Sequence, residues 1–150
     1  MPAFVRWETP FTDIQLPSAV LYSEDRTDGR FLTNAIVAPH GIDKYPKYIV
    51  RFGEAIAFTC MEEMHFPRRD FAEASCEEEG LSAYQYLDST WLRSYNQGEF
   101  FLFNLDGGSK ETLKHYLIVG GDNNIEVITA NEPTIETINS SGELTIRISV

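Results

Sequence analysis

The chain has 150 residues, 17.1 kDa and 43% hydrophobic residues, the size and make-up of one ordinary domain that holds a core without disulfide or metal staples. Its 12 Lys and Arg stand against 23 Asp and Glu, and the resulting net charge of -11 repels phosphate backbones and anionic bilayers, which argues against nucleic-acid and membrane-surface partners. Aromatic residues make up 13% of the chain, a payload that suits a pleated, β-rich core.

Taken in chain order, residues 1–46 read as an irregular N-terminal segment, punctuated by Pro10, Pro17, Pro39 and Pro46, with residues 19–23 as its best strand. Residues 24–30 form a polar turn. From residue 47 to 150 the pattern is that of a sheet-forming core, so the whole of 1–150 reads as one domain. Tyr48, Val50 and Phe52 alternate with Ile49 and Arg51 as a strand, and Gly53-Glu54 marks a turn or a bulge. Residues 55–63 read as a second strand with Ile56, Phe58 and Cys60 on one apolar face, or as the continuation of the first beyond a bend. Residues 64–80 are a long acidic connection. Residues 83–87 make a short strand, after which Asp88 or Ser89 is a good N-cap for a helix carrying Trp91, Leu92 and Tyr95 on one stripe, with Gly98 as its stop. The run 100–103 reads as a strand buried on both faces. Strand-like runs at 113–119 and 125–130 flank Gly120-Gly121-Asp122-Asn123-Asn124, a hairpin signal, and Leu144, Ile146, Ile148 and Val150 alternate as a terminal strand. About seven strands and one short helix without a βαβ rhythm predict a mainly β, α+β fold: an antiparallel sheet or sandwich with the helix packed on it. Its expected core is Val50, Phe52, Ile56, Phe58, Phe101, Phe103, Leu117, Val127 and Ile146.

The first eight residues contain no apolar stretch of the secretory kind, and no apolar run approaches the ~20 residues of a membrane helix. Cys60 and Cys76, the two cysteines, fit free thiols in a reducing compartment, with a single bridge as the alternative; the expected location is the cytoplasm. Cys60 is expected to be buried and inert, while the glutamates around Cys76 disfavour the thiolate that nucleophilic catalysis needs.

Charge is unevenly distributed along the chain. Residues 1–53 are neutral, with six acids and six bases, whereas 54–79 carry eight acids and only Arg68 and Arg69. Glu62, Glu63, Glu73, Glu77, Glu78 and Glu79 are therefore the candidate binding face, either for a basic partner or as solubilising surface. The chemistry-bearing motifs are few. Glu62-Glu63-Met64-His65 contains Glu-x-x-His once, where a carboxylate-bridged metal site needs the motif twice with two further glutamates, so no metal and no cofactor are expected. No Gly-x-Ser-x-Gly elbow occurs, and the paired glycines precede a strand rather than the helix that a phosphate cradle requires. His115 shares a strand face with Leu113 and Leu117 and reads as a core histidine. Tyr84, Trp91, Tyr95 and His115 are the alternative candidate, an aromatic-lined pocket with Asp88 and Arg93 as polar anchors. No catalytic nucleophile–base pair is legible.

Residues 115–118 (His-Tyr-Leu-Ile), Asp122, 125–128 (Ile-Glu-Val-Ile) and 132–135 (Glu-Pro-Thr-Ile), within a stretch of roughly 47–138, resemble small bacterial cytoplasmic proteins of unassigned function, some of them immunity proteins encoded beside polymorphic toxins. The resemblance implies a bacterial source and a non-enzymatic role. Together with the acidic charge it leads to the functional expectation of a cytoplasmic, immunity- or adaptor-like protein that binds a basic protein partner, nuclease-type toxins being one such class. The alternative expectation is a small-molecule-binding protein or enzyme built on the aromatic pocket. The terminal strand 144–150, with no element after it, is expected to offer an edge for a homodimer. Light scattering over a tenfold concentration range measures this directly: an edge-paired dimer gives a mass that doubles, a guarded edge a constant 17.1 kDa.

Overall fold

Side chains that alternate along a strand place one row toward a core and the other away from it, and here two such sheets bury their inner rows against each other. The computed structural model describes residues 2–25, 27–29, 31–62, 74–96, 113–140 and 147–149. In chain order the elements are β1 (Ala3–Arg6), β2 (Ser18–Asp25), β3 (Phe31–Ala38), β4 (Lys47–Gly53), β5 (Ala57–Glu62), β6 (Ser75–Cys76), β7 (Ala83–Leu87), α1 (Thr90–Asn96), β8 (Lys114–Val119), β9 (Asn123–Thr129), β10 (Thr134–Ile138) and β11 (Arg147–Ser149). They form a six-stranded sheet in the order β5-β9-β8-β7-β1-β6 and a five-stranded sheet in the order β11-β10-β4-β3-β2. All pairings are antiparallel except β1 with β6. Among the described residues no helix is long and apolar enough to cross a membrane.

The expected β-rich architecture with one short helix is what the chain adopts, with more strands than expected. The main difference lies in residues 1–46, where the expected strand at 19–23 is the middle of the longer β2, and β1 and β3 join it in a segment whose sequence reads as largely irregular. β2 and β3 are the longest strands among the described residues, eight residues each, paired over their full length. The full length of β2 and the presence of β3 hid because their outward row mixes Val20, Tyr22 and Ile36 with Glu24 and Asn34, which blurs a period-2 signal. The run 100–103, with Phe101 and Phe103, and Ile146 lie outside the described residues.

The core between the sheets joins Ala19, Ala35, Val37, Val50, Phe52 and Ile135 from one to Ala83, Tyr116, Ile118, Ile125 and Val127 from the other, with Phe11 among them. Trp7 stacks at 4.7 Å on Tyr116 and lies 6.1 Å from Phe52, so a wedge of aromatic rings fills one side of the layer. Val50, Phe52, Leu117 and Val127 are buried as expected. Phe58 is not: it is 47% exposed, and Cys60 is exposed as well. Both share the inward face with their register partners Val127 and Ile125, but β5 is the outermost strand, and that flank of the sandwich leaves its inner row uncovered.

Two corners fix the sheets to each other. At the first, the chain passes from β4 to β5, which belong to different sheets and are not one bent strand. Gly53, at φ +74, closes the passage beside a register shift opposite Thr33 and Asn34, and a Cβ there would meet Asn131 Nδ2 at 2.6 Å. Thr129 Oγ1 and Asn131 Nδ2 both donate to the Phe52 carbonyl, at 2.9 and 3.3 Å. At the second, the β8–β9 hairpin, read correctly from its glycines, presses on the start of β2. Gly121 N–H donates to the Pro17 carbonyl at 2.9 Å, and a Cβ on Gly120 would lie 2.5 Å from the Asn123 carbonyl oxygen and 2.9 Å from that of Pro17. Asp122 accepts from Ser18 Oγ (2.6 Å), the Ala19 N–H (3.0 Å) and the Asn123 N–H (2.8 Å), while Asn123 Nδ2 donates to the Ala19 carbonyl at 2.9 Å. Burial alone would push the Asp122 carboxyl up, but these hydrogen bonds outweigh it and hold the group below the usual carboxylate range.

Two stability predictions follow from the second corner. Gly120→Ala drives a methyl into two main-chain carbonyls and should cost about 1–3 kcal/mol in urea unfolding, whereas a loose corner would absorb it with a change under about 0.5 kcal/mol. Asp122→Asn should cost about 1 kcal/mol at neutral pH, since the group is largely solvent-screened. The folded carboxyl titrates below its unfolded value, so its stabilisation is complete above that unfolded value and disappears as pH falls through the folded one. The gap between wild type and Asp122→Asn should therefore narrow as pH falls below the usual carboxylate range and close once the folded carboxyl is protonated.

Candidate functional site

The outer face of the six-stranded sheet carries the groups that sequence reading placed in an aromatic pocket. Period 2 puts Tyr84 and Tyr86 of β7, His115 and Leu117 of β8, and Glu126 and Ile128 of β9 on that face, away from the other sheet. α1 lies on it, with Leu92 packed against Leu113 and Ile128, and Trp91 beside them. The ring of His115 sits 5.3 Å from Trp91, edge to face, and 5.1 Å from Tyr86. Tyr84 turns elsewhere: its hydroxyl donates to the Glu78 carbonyl at 2.7 Å and accepts from the Leu81 N–H at 3.0 Å, and its ring packs on Phe4. Tyr95 lies in α1, and its side chain lies outside the described residues. Asp88 and Arg93, expected as anchors for a ligand, are bonded to each other at 2.9 and 3.1 Å.

What the structure brings to His115 instead is a pair of residues not linked to it in sequence. Ser89 Oγ lies 2.7 Å from Nδ1, and Glu126 Oε1 lies 2.8 Å from Nε2. Ser89 is also the N-cap of α1, accepting from the Leu92 N–H at 3.0 Å. One proton assignment satisfies the whole chain: Leu92 N–H to Ser89 Oγ, Ser89 O–H to Nδ1, and Nε2–H to the Glu126 carboxylate. The connectivity is that of an acyl-transfer triad, but a nucleophile needs an open face toward its electrophile. Ser89 and His115 are 0% exposed and Glu126 2%, and one serine lone pair is engaged by the helix cap. As it stands, the chain is a polar strut that pins the start of α1 to the sheet. His115 is thus the satisfied core histidine that its strand face implied. A signal for Glu126 was present in the hairpin: centring the turn on residues 121–122 pairs Leu117 with Glu126 and leaves His115 diagonal to it.

The acidic candidates are not brought together. Glu62 ends β5 at one edge of the six-stranded sheet, and Glu77, Glu78 and Glu79 follow β6 at the opposite edge, five strand spacings or about 24 Å away. Glu63 and Glu73 lie outside the described residues, as does the His65 of the Glu-x-x-His motif. The exposed triplet gains other company. Arg6 of β1 binds Glu8 at 2.8 Å, Glu78 at 3.1 Å and Asp13, so one guanidinium serves three carboxylates. Hydrogen bonds from Arg6 hold both Glu8 and Asp13 below the usual carboxylate range. Glu77 and Glu79 have no basic partner among the described residues. Cys76 beside them is half-buried, with its thiol on the Glu78 carbonyl at 3.2 Å. The sequence missed this edge because its acids come from two stretches some 65 residues apart, the first inside the segment that is neutral overall.

Among the described residues no three His, Cys, Asp or Glu side chains gather as a metal site. Comparison of the chain with protein-family models, with curated proteins and with solved structures found no match.

The strut can be tested by removing its ends separately. Glu126→Ala leaves the buried Nε2–H without an acceptor and should cost about 2–4 kcal/mol in denaturant unfolding, with Glu126→Gln recovering most of it because the amide oxygen still accepts. Ser89→Ala should cost about 1–2 kcal/mol through the lost cap. Equal losses for Glu126→Ala and Glu126→Gln would show that the hydrogen bond to His115 is not what the carboxylate supplies.

Proposed function

We propose that this chain binds a basic protein partner and that the edge formed by β1, β6 and the residues after β6 is where the two first meet. The observation that carries the reading is that a single cation, Arg6, is held by three exposed carboxylates, Glu8, Asp13 and Glu78, while Glu77 and Glu79, on either side of Glu78 in the chain, are exposed as well. Carboxylates in excess of the chain's own cations project a negative potential, which raises the encounter rate with a positive surface and turns away nucleic acid. The chain's net charge of -11 acts in the same direction. An immunity- or adaptor-like role, the expectation drawn from the resemblance, is a role of this kind. The small-molecule alternative finds less support, since the groups around His115 are spent on one another.

The reading is tested by capture kinetics with the immobilised chain. A specific basic partner should associate more slowly at high salt, and more slowly with Glu77→Gln, Glu78→Gln and Glu79→Gln combined, while thermal unfolding is unchanged. The expected loss in on-rate is about tenfold for the triple variant at low salt. A partner captured at the same rate by wild type and triple variant would reduce the triplet to solubilising surface.

A further inference from the structure

The outer face of the six-stranded sheet carries two more buried polar groups, beside the strut and outside it. Asn124 precedes Glu126 by two residues on β9, and Thr59 of β5 is the register partner of Glu126, so period 2 places all three on one face. Asn124 is 4% exposed, and neither its Nδ2 nor its Oδ1 has a hydrogen-bond partner among the described residues. Turning the amide over gains nothing, because both of its ends are bare. The Thr59 hydroxyl oxygen is buried and has no partner among the same residues. Asn123, by contrast, turns inward and is spent on the Ala19 carbonyl.

Such a position calls for an apolar side chain. Asparagine is depleted in strands, and burying an amide with none of its bonds made is costly. The neighbours follow the rule: Val119 of β8 and Met61 of β5 stand opposite Asn124, and Leu117 of β8 stands opposite Glu126. A donor, an acceptor and a hydroxyl kept among apolar groups are what a small-molecule site presents, an apolar lining with a few polar groups that fix orientation. The place lies near the end of the β5–β9 pair, one register step inside the exposed Glu62. Met61, half-buried, unbranched and freely rotating, is the side chain suited to move aside and admit a small molecule there.

We propose that Asn124 and Thr59 are the polar groups of a binding site for a small neutral molecule with a cis amide edge, a carbonyl beside an N–H, as in a lactam or a cyclic imide. The site is separate from the acidic edge and does not depend on the partner being basic. The side chains select the class of ligand. An asparagine amide offers an N–H and a carbonyl oxygen side by side, and a cis amide edge answers both with two parallel hydrogen bonds. Nδ2–H donates to the ligand carbonyl, and the ligand N–H donates to Oδ1. Thr59 is diagonal to Asn124 across the β5–β9 pair, a separation that a small ring bridges, and its O–H serves the second lone pair of the ligand carbonyl. Charged ligands are disfavoured. The buried Glu126 carboxylate repels an anion, and a cation would leave water for apolar side chains and a carboxylate already bonded to His115.

The experiment uses the whole chain with pyrrolidinone as the probe and N-methylpyrrolidinone, which lacks the N–H, as its control. The side-chain amide signals of Asn124, identified in a proton–nitrogen correlation spectrum by their loss in Asn124→Val, should shift saturably as pyrrolidinone is added. The N-methyl analogue should bind at least tenfold more weakly, because it leaves Oδ1 unpaired. Thr59→Val should weaken pyrrolidinone binding at least tenfold as well. Without any probe, Asn124→Val should unfold at the same urea concentration as wild type or a higher one, because it removes an amide whose bonds the chain does not make. A lower urea midpoint for Asn124→Val would show that the amide is bonded within the chain and would overturn the proposal. Asn124 signals that do not shift, equal binding of the two lactams, or unchanged binding by Thr59→Val would each overturn it too.

Discussion

Burial of one apolar layer between two sheets is the constraint on which the rest of the molecule depends. Neither sheet is stable alone, since each has an inner row of Val, Ile, Phe and Ala that water would otherwise meet. The aromatic wedge of Trp7, Phe11, Phe52 and Tyr116 fills the side where the N-terminal segment crosses, and burial pushes the Tyr116 hydroxyl up to about 12. The layer is finite, however. Gly53 and the Asp122 corner hold the sheets where they touch, and at the outermost strand β5 the inner-row residues Phe58 and Cys60 stay exposed.

Polar groups settle on the outer faces, and there they are organised by strand adjacency rather than by sequence. On the five-stranded sheet, Arg51 of β4 reaches Glu24 of β2 at 3.0 Å across β3 and Glu136 of β10 beside it, with Asn34 of β3 donating to the same Glu24 oxygen at 3.3 Å. Its hydrogen bonds to Glu136 and then Glu24 raise the Arg51 pKa further, and the pair includes a carboxylate only 5% exposed. On the six-stranded sheet, Ser89, His115 and Glu126 do the equivalent for α1. Each network adds a side-chain link between neighbouring elements, and the first also spans from β4 to β2 across β3. Removing one member would strand a buried charge or donor, so such networks specify which strands are neighbours more than they add to stability.

The same adjacency redistributes charge. Along the chain, residues 1–53 are neutral and the negative charge lies wholly beyond them. In space, Glu8 and Asp13 from the neutral half join Glu78 on Arg6, and Glu62 from the acidic half stands a sheet's width away. Glu8 and Asp13 meet Glu78 on one guanidinium only because β1 lies between β7 and β6, a pairing that joins residue 3 to residue 75.

Much of the fold was legible in particular residues. Alternation at Tyr48, Val50 and Phe52 gave β4, the glycines at 120 and 121 gave the β8–β9 hairpin, and Ser89 before Trp91 gave the start of α1, because each of these signals is local. The apolar-buried reading of His115 was local too. Strand partners were not local. That β4 and β5 belong to different sheets, that Phe58 is bare, that Glu126 and Ser89 meet one histidine and that Glu62 parts from Glu77 all depend on sheet order and register. Composition and period determine which residues seek burial and which backbone shape they favour. Which strands become neighbours is decided by the tertiary arrangement that buries the inner rows against one another, and the edge strands are those it leaves with a neighbour on one side only.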